Sequence, residues 1–170
     1  MKRGNNVISE KRVADSVSHI SRVMMPTDAN IAGNVFGGTI LKLVDEVSGL
    51  VALRHCNSNV VTASIEHMDF LYPVHIGDLL SLDAKMTYVG NSSMEVLVNV
   101  TAENLMTGEK QHAGDSIVTL VALDRDGHTK SAPKLILTTD EERRLFSEGE
   151  KRRALRLERA NERKKQSQSS

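Results

Sequence analysis

An α+β fold, one helix buried against an antiparallel sheet, is what the sequence predicts. Two patterns and a size limit carry that reading. Across residues 38–54, Ile40, Val44, Val47 and Val51 recur at helical spacing, and Leu41, Leu43 and Leu50 widen the stripe until almost the whole helix is apolar. Between 59 and 124, four extended segments are separated by short turn-forming breaks, as in an antiparallel sheet. With 170 residues, 39% of them hydrophobic, the chain holds one core and is too short for two full domains.

Residues 1–15 are polar, and 16–25 read as a first strand, ended by Pro26 and the turn formers Asp28 and Asn30. The helix follows and should be buried. The next strands are placed at 59–70, 78–89, 93–104 and 110–124, with breaks at "YPVHIGD", "GNSS" and "MTGE". In the third of these, Met94, Val96, Val98, Val100 and Ala102 alternate with Glu95, Asn99, Thr101 and Glu103, giving a core face and a face largely toward water, Leu97 excepted. From Asp140 onward the chain is charge-dense, acids early and bases late, an order that suits a helix dipole. A solvated helix fraying into a polar tail is expected there, with a docking surface for an anionic ligand as the alternative. The layout is a polar segment over 1–15, a folded domain over 16–138 and a charged helix with a tail over 139–170.

Lys plus Arg and Asp plus Glu both number 22, so no net field favours nucleic acid or an anionic membrane. Two tyrosines, three phenylalanines and no tryptophan leave little to stack on bases. Cys56 is the single cysteine, which excludes an intramolecular disulfide and a thiolate zinc cluster and suits the cytoplasm. No signal-like or membrane-spanning apolar run is present. The histidines at 19, 55, 67, 75, 112 and 128 lack metal-ligand spacing, so no metal is expected. Cys56 beside His55 reads as a buried thiol, since sequence neighbours seldom face each other, and no G-x-S-x-G marks a serine hydrolase.

The chemistry concentrates in "DANIAGNVFGGTILKLVDEVSG". A helix starting at Gly37 and Gly38 offers unpaired backbone N–H groups and a positive dipole end to a bound oxygen. Asp45 lies among Leu41, Val44, Ser48, Gly49 and Ala52, with Lys42 the one cation at i±3 or i±4, and an acid on so apolar a stretch is a candidate for function. Ser48, Gly49 and Ala52 share its side of the helix, and something should approach there closely, either another chain or a substrate. Seven helical steps separate Gly38 from Asp45, about 10 Å at ~1.5 Å per residue, too far for both to serve one carbonyl within one helix. The expectation is that they act across two subunits. Asp45 would then work as a general base or as a direct nucleophile, two routes left open, and Asn30 would orient water or the carbonyl group.

These residues resemble the hotdog-fold acyl-CoA thioesterases, the group of bacterial short-chain acyl-CoA hydrolases and cytosolic acyl-CoA hydrolases. The resemblance spans residues 18–137 and rests on "MMPTDANIAGNVFGGTILKLVDEVSGLVALRHC", "VVTASIEHMDFLYPVHIGD" and "GNSSMEV". It implies a sheet wrapped round the central helix, a homodimer with sites at the interface, and usually three such dimers. It matches the catalytic amide to Asn30, the carbonyl-polarising glycine to Gly37 with Gly38 beside it, and the catalytic acid to Asp45. Asn91, Ser92 and Ser93 are expected near the coenzyme A groove, with Gly49 also at the substrate and Arg54 available to its phosphates. Acyl-CoA is the implied substrate, and no cofactor is required. A non-catalytic acyl-CoA sensor and an enoyl-thioester hydratase are the alternatives on the same fold.

Overall fold

The computed structural model describes residues 9–167; residues 1–8 of the polar N-terminal segment and 168–170 of the tail lie outside the described residues. Its central sheet has five antiparallel strands: β2 (Ser18–Val23), β3 (Val60–Phe70), β4 (Leu79–Val89), β5 (Ser93–Glu103) and β6 (Lys110–Ala122). They lie in the order β2-β4-β5-β6-β3. Helix α1 (Gly37–Cys56) crosses one face of this sheet. Its Val44, Val47 and Val51 are fully buried, as are Leu80 and Leu82 of β4, Val96, Val98 and Val100 of β5, and Val118 and Leu120 of β6. Each such side chain contributes about 1.5–3 kcal/mol by leaving water, which holds the helix in the concavity of the sheet. Asn57, left-handed at φ 48°, ends the helix by donating its N–H to the Leu53 carbonyl.

Three differences from the sequence reading matter for function. The helix is not buried all round: Leu50 and Leu53 remain 40% and 45% exposed, and with Val61 of β3, at 47%, they form an uncovered apolar strip. Two short strands also escape the period-2 pattern, β1 (Glu10–Arg12) and β7 (Lys134–Ile136), which pair in parallel. The N-terminal segment therefore contributes to the fold, and the first strand of the large sheet begins only at Ser18.

The third difference concerns α2 (Asp140–Ser167), which docks on the sheet rather than standing free in water. Leu145 is buried, the Phe146 ring lies 4.9 Å from that of Tyr88, and a Cβ on Gly149 would come within 2.5 Å of Tyr88 Cβ. Glu95, assigned by alternation to a face largely toward water, is 0% exposed beneath this helix. Arg152 grips it bidentately at 3.0 and 2.7 Å, Thr87 Oγ1 donates to it at 2.9 Å, and Arg156 reaches it at 3.4 Å. Burial alone would raise the Glu95 carboxyl; the Arg152 bond and charge, with Thr87 and Arg156, outweigh that and hold it below the usual carboxylate range.

Candidate active site

The loop entering α1 is built before the helix begins. Asp28 is buried and accepts the Met25 N–H at 2.9 Å and the Arg22 guanidinium at 2.5 Å, and these bonds hold its carboxyl below its ordinary value. Its carbonyl accepts the Phe36 N–H at 2.8 Å, closing the loop. Inside that loop, Asn30 Oδ1 accepts N–H groups from Ala32 at 2.9 Å and Asn34 at 3.2 Å, while Gly33 takes φ +82° to complete the turn. The Asn30 carbonyl oxygen thus shapes the turn, and its Nδ2 is the end left for a ligand.

Phe36 is the N-cap of α1 and provides no side-chain cap, so the first N–H groups of the helix have no side-chain acceptor there. A Cβ on Gly37 would meet the Phe70 ring at 3.3 Å, and one on Gly38 would meet the Phe36 ring at 2.2 Å. Both glycines therefore have a packing reason as well as a chemical one. A cavity of about 390 Å³ opens beside Gly37, lined by Asn34, Val35, Ile40, Phe70 and Leu71 among others, and is mostly apolar.

Asp45 lies elsewhere. It is exposed at the edge of a groove of about 740 Å³ with Gly49, Leu50, Leu53, Val61 and Thr62. Thr62 Oγ1 donates to Asp45 Oδ1 at 2.6 Å, which orients the carboxylate and satisfies one of its oxygens. Thr62 was missed by sequence reasoning: its pairing with a helix residue becomes visible only once β3 lies beside α1. The cavity at Gly37 and the groove at Asp45 have no lining residue in common. One chain does not bring the helix start and the acid together.

The small residues around Asp45 divide. Ser48 and Ala52 are fully buried, Ser48 Oγ bonding back to the Val44 carbonyl at 2.7 Å, so their size serves the sheet of the same chain. Gly49 differs, because a Cβ there would meet nothing within 4 Å. Its lack of a side chain leaves open space beside the acid.

The candidates for coenzyme A fall apart in space. Arg54 donates to the Val17 carbonyl at 2.5 Å, to Ser18 Oγ at 3.0 Å and to the Asp15 carbonyl at 3.4 Å, so it ties the end of α1 to the chain entering β2. Of the 91–93 turn, Asn91 lines a cleft of about 480 Å³ with Gly90, Pro133 and Lys134, and its Oδ1 accepts the Ser131 hydroxyl at 3.0 Å. Ser92 and Ser93 use their carbonyls on Ala122 and Gly90. Ser93 pairs with Val121 and Val60 with Ala122, whereas Phe70, beside Gly37, pairs with Gly114. The turn and the helix start therefore occupy opposite ends of the sheet.

Other titratable groups are held in structural roles. The His55 Nε2 faces the Pro133 carbonyl at 2.8 Å and its Nδ1 is buried without a hydrogen-bond partner among the described residues, while Cys56 Sγ donates to the Ser58 carbonyl at 3.4 Å, so the two form no nucleophile-base pair. His67, in β3, pairs with Asp69 at 2.8 Å. Among the described residues one group has metal-like convergence, Asp124, Asp126 and His128, but Asp124 Oδ1 accepts the N–H groups of the other two at 2.9 Å each, the mark of a self-contained turn.

With this geometry in place, similarity to known proteins is decisive. A family model of the thioesterase superfamily matches residues 32–109. The acyl-CoA thioester hydrolase YkhA of Bacillus subtilis is 41% identical over 85% of this chain and 79% of its own length. The chain belongs to the acyl-CoA thioester hydrolase family of the thioesterase superfamily. A hexameric acyl-CoA thioesterase superposes with a TM-score of 0.85 at 40% identity, covering 90% of this chain and 98% of that one. An acyl-CoA hydrolase of Staphylococcus aureus, solved with butyryl coenzyme A and coenzyme A, gives a TM-score of 0.83 at 33% identity over 92% of this chain and 95% of its own. Variants of that enzyme with an aspartate, an asparagine or a threonine replaced by alanine share the same fold. The architecture is the hotdog fold, the antiparallel sheet wrapped on a central helix that the sequence resemblance implies.

Proposed function

We propose that this protein hydrolyses an acyl-CoA thioester to free acid and coenzyme A, at two equivalent sites formed between paired chains. The observation that carries the reading is the separation of the two half-sites. Each chain presents an uncapped helix start at Gly37 beside an apolar cavity, and an oriented acid, Asp45, in a different groove. A two-fold pairing along the exposed Leu50, Leu53 and Val61 strip covers apolar surface and lets each chain complete the other's site.

In that arrangement the thioester oxygen lies against the Gly37 and Gly38 N–H groups, where the helix start stabilises the negative charge that develops on it. Asp45 of the paired chain acts at the carbonyl carbon. As general base it takes a proton from water while the water oxygen bonds to carbon; the carbon–sulfur bond then breaks and the thiolate recovers the proton. As nucleophile its oxygen bonds to the carbon directly, the thiolate leaves, and water cleaves the resulting anhydride. Thr62 serves both routes by fixing Oδ1 and aiming Oδ2, and Asn30 offers its Nδ2 to water or the acyl oxygen. The Asp, Asn and Thr altered in the S. aureus enzyme stand at the same intervals from one another as Asp45, Asn30 and Thr62 do here, which supports this assignment.

Gly49 gives the thioester room beside Asp45, and the 91–93 turn of the paired chain supplies polar atoms along the coenzyme. Arg54 is better explained by its backbone partners than by phosphate. Three dimers form the full assembly, in keeping with a similar structure that is hexameric. No cofactor takes part, and the cytoplasm is the proposed location; no helix among the described residues is long and apolar enough to cross a membrane. Thiol release from a panel of short, medium and long acyl-CoA esters tests the reading. Turnover that Asp45→Asn abolishes is expected; tight binding with no turnover on any ester would contradict it.

A further inference from the structure

The outer face of the sheet carries a constellation that thioester hydrolysis does not use. Arg156, Arg159 and Arg163 recur at helical spacing along α2 and, with Ala160, face a groove of about 330 Å³ whose other side is Ser64 and Glu66 of β3. Arg156 is ion-paired with Glu66 and, at 3.4 Å, with buried Glu95. Arg159 and Arg163 have neither an ion pair nor a hydrogen bond among the described residues. Glu158 lies on the far side of the helix from the groove, and Glu162, three residues from Arg159, makes no ion pair with it among the described residues.

Three guanidiniums against one carboxylate leave the groove with a clear positive excess. Like charges four residues apart cost helix stability, and arginine cannot relieve the repulsion by losing its proton. With Arg156 paired to Glu66 and Glu95, Arg159 and Arg163 are the guanidiniums in the groove available to an anion. We propose that the groove binds the phosphate or diphosphate group of a nucleotide, with Arg159 and Arg163 engaging its oxygens through paired N–H bonds and the Ser64 hydroxyl adding a further donor.

The position separates this ligand from the reacting acyl group. Thr62 meets Asp45 on the α1 side of β3, whereas Ser64 faces α2, and a bulge between them turns the strand over. A phosphate drawing α2 toward Ser64 therefore acts on the strand that orients the acid. Its source is either the nucleotide end of an acyl-CoA or a free nucleotide. The first case rests on the proposed hydrolysis; the phosphate site itself does not.

The test is calorimetric titration of the full-length protein with pyrophosphate and with ADP, beside the Arg159→Ala/Arg163→Ala double variant. Both side chains are exposed, so the variant should fold, and an unchanged melting temperature checks that. Binding that weakens about tenfold or more in the variant, and falls with added salt, is expected. Kinetics then separate the sources. A raised KM for acyl-CoA with an unchanged KM for the matching acyl-pantetheine assigns the groove to the coenzyme's own phosphates; unchanged KM for both, with ADP binding lost, assigns it to a free nucleotide. No measurable binding of either probe to the wild type, or equal binding by the double variant, overturns the proposal. Because binding is read without turnover, this failure is distinct from a failure of the hydrolysis reading.

Discussion

Replacing Arg152 by Ala tests how α2 is held. The substitution leaves the Glu95 carboxylate, 0% exposed, without its bidentate partner at 3.0 and 2.7 Å. Removing one member of a fully buried ion pair costs about 3–5 kcal/mol. Arg152 is itself 29% exposed, and Thr87 and Arg156 still reach Glu95, so about 2–3 kcal/mol is the reasoned loss. For a domain of this size about 2–4 °C of melting temperature corresponds to each kcal/mol, giving a fall of roughly 4–12 °C in differential scanning calorimetry. The Glu95→Leu/Arg152→Leu pair should recover most of that fall, because an apolar replacement removes the buried charge along with its partner. A fall below about 1 °C for Arg152→Ala, or a double variant worse than the single one, would refute the reasoning.

Thr62→Val removes the hydroxyl that fixes Asp45 Oδ1 at 2.6 Å. At about 1.4 kcal/mol for a charge-assisted bond, kcat should drop about tenfold with KM little changed; steady-state kinetics showing kcat within twofold of wild type would contradict the orienting role. His55 sits in the core with its pKa lowered by burial, which its bond to the Pro133 carbonyl only partly offsets. The unfolded chain therefore binds a proton that the folded ring resists: this stability is fully present above the unfolded value near 6.5 and is lost as pH falls toward the lower folded value. Melting temperature followed from about pH 7.5 to 5.5 should decline more steeply in the wild type than in His55→Gln, and parallel curves would show that His55 does not contribute.

Helix α1 and the four long strands were legible because their apolar residues repeat over enough positions for the period to be unmistakable. The three-residue strands β1 and β7 were not: Glu10, Lys11 and Arg12 carry no alternation, and only the partner strand stabilises them. Glu95 and Arg152 look like ordinary surface charges in the sequence, and their pairing across fifty-seven positions exists only in three dimensions. At the site, Gly37, Gly38 and Asp45 stood out because a glycine pair at a helix start and an acid in an apolar stripe break local rules. Thr62 breaks none, so it stayed hidden until β3 was in place. Arg54 misled in the opposite sense, since a base in the last turn of a helix looks free until its carbonyl partners are seen. Ser48 and Ala52 looked like part of a contact surface, and burial assigns them to the core.

Mixing two inactive chains tests the central claim most directly. In a mixed dimer of Asn30→Ala and Asp45→Asn chains, one site inherits both lesions and the other neither. Random exchange makes about half the dimers mixed, so about one quarter of the wild-type sites should be rebuilt. Thiol release from an acyl-CoA should rise to roughly that fraction after the chains are unfolded and refolded together, and should stay near zero when they are combined without exchange. Activity that never exceeds the sum of the two parents would contradict a site shared between chains.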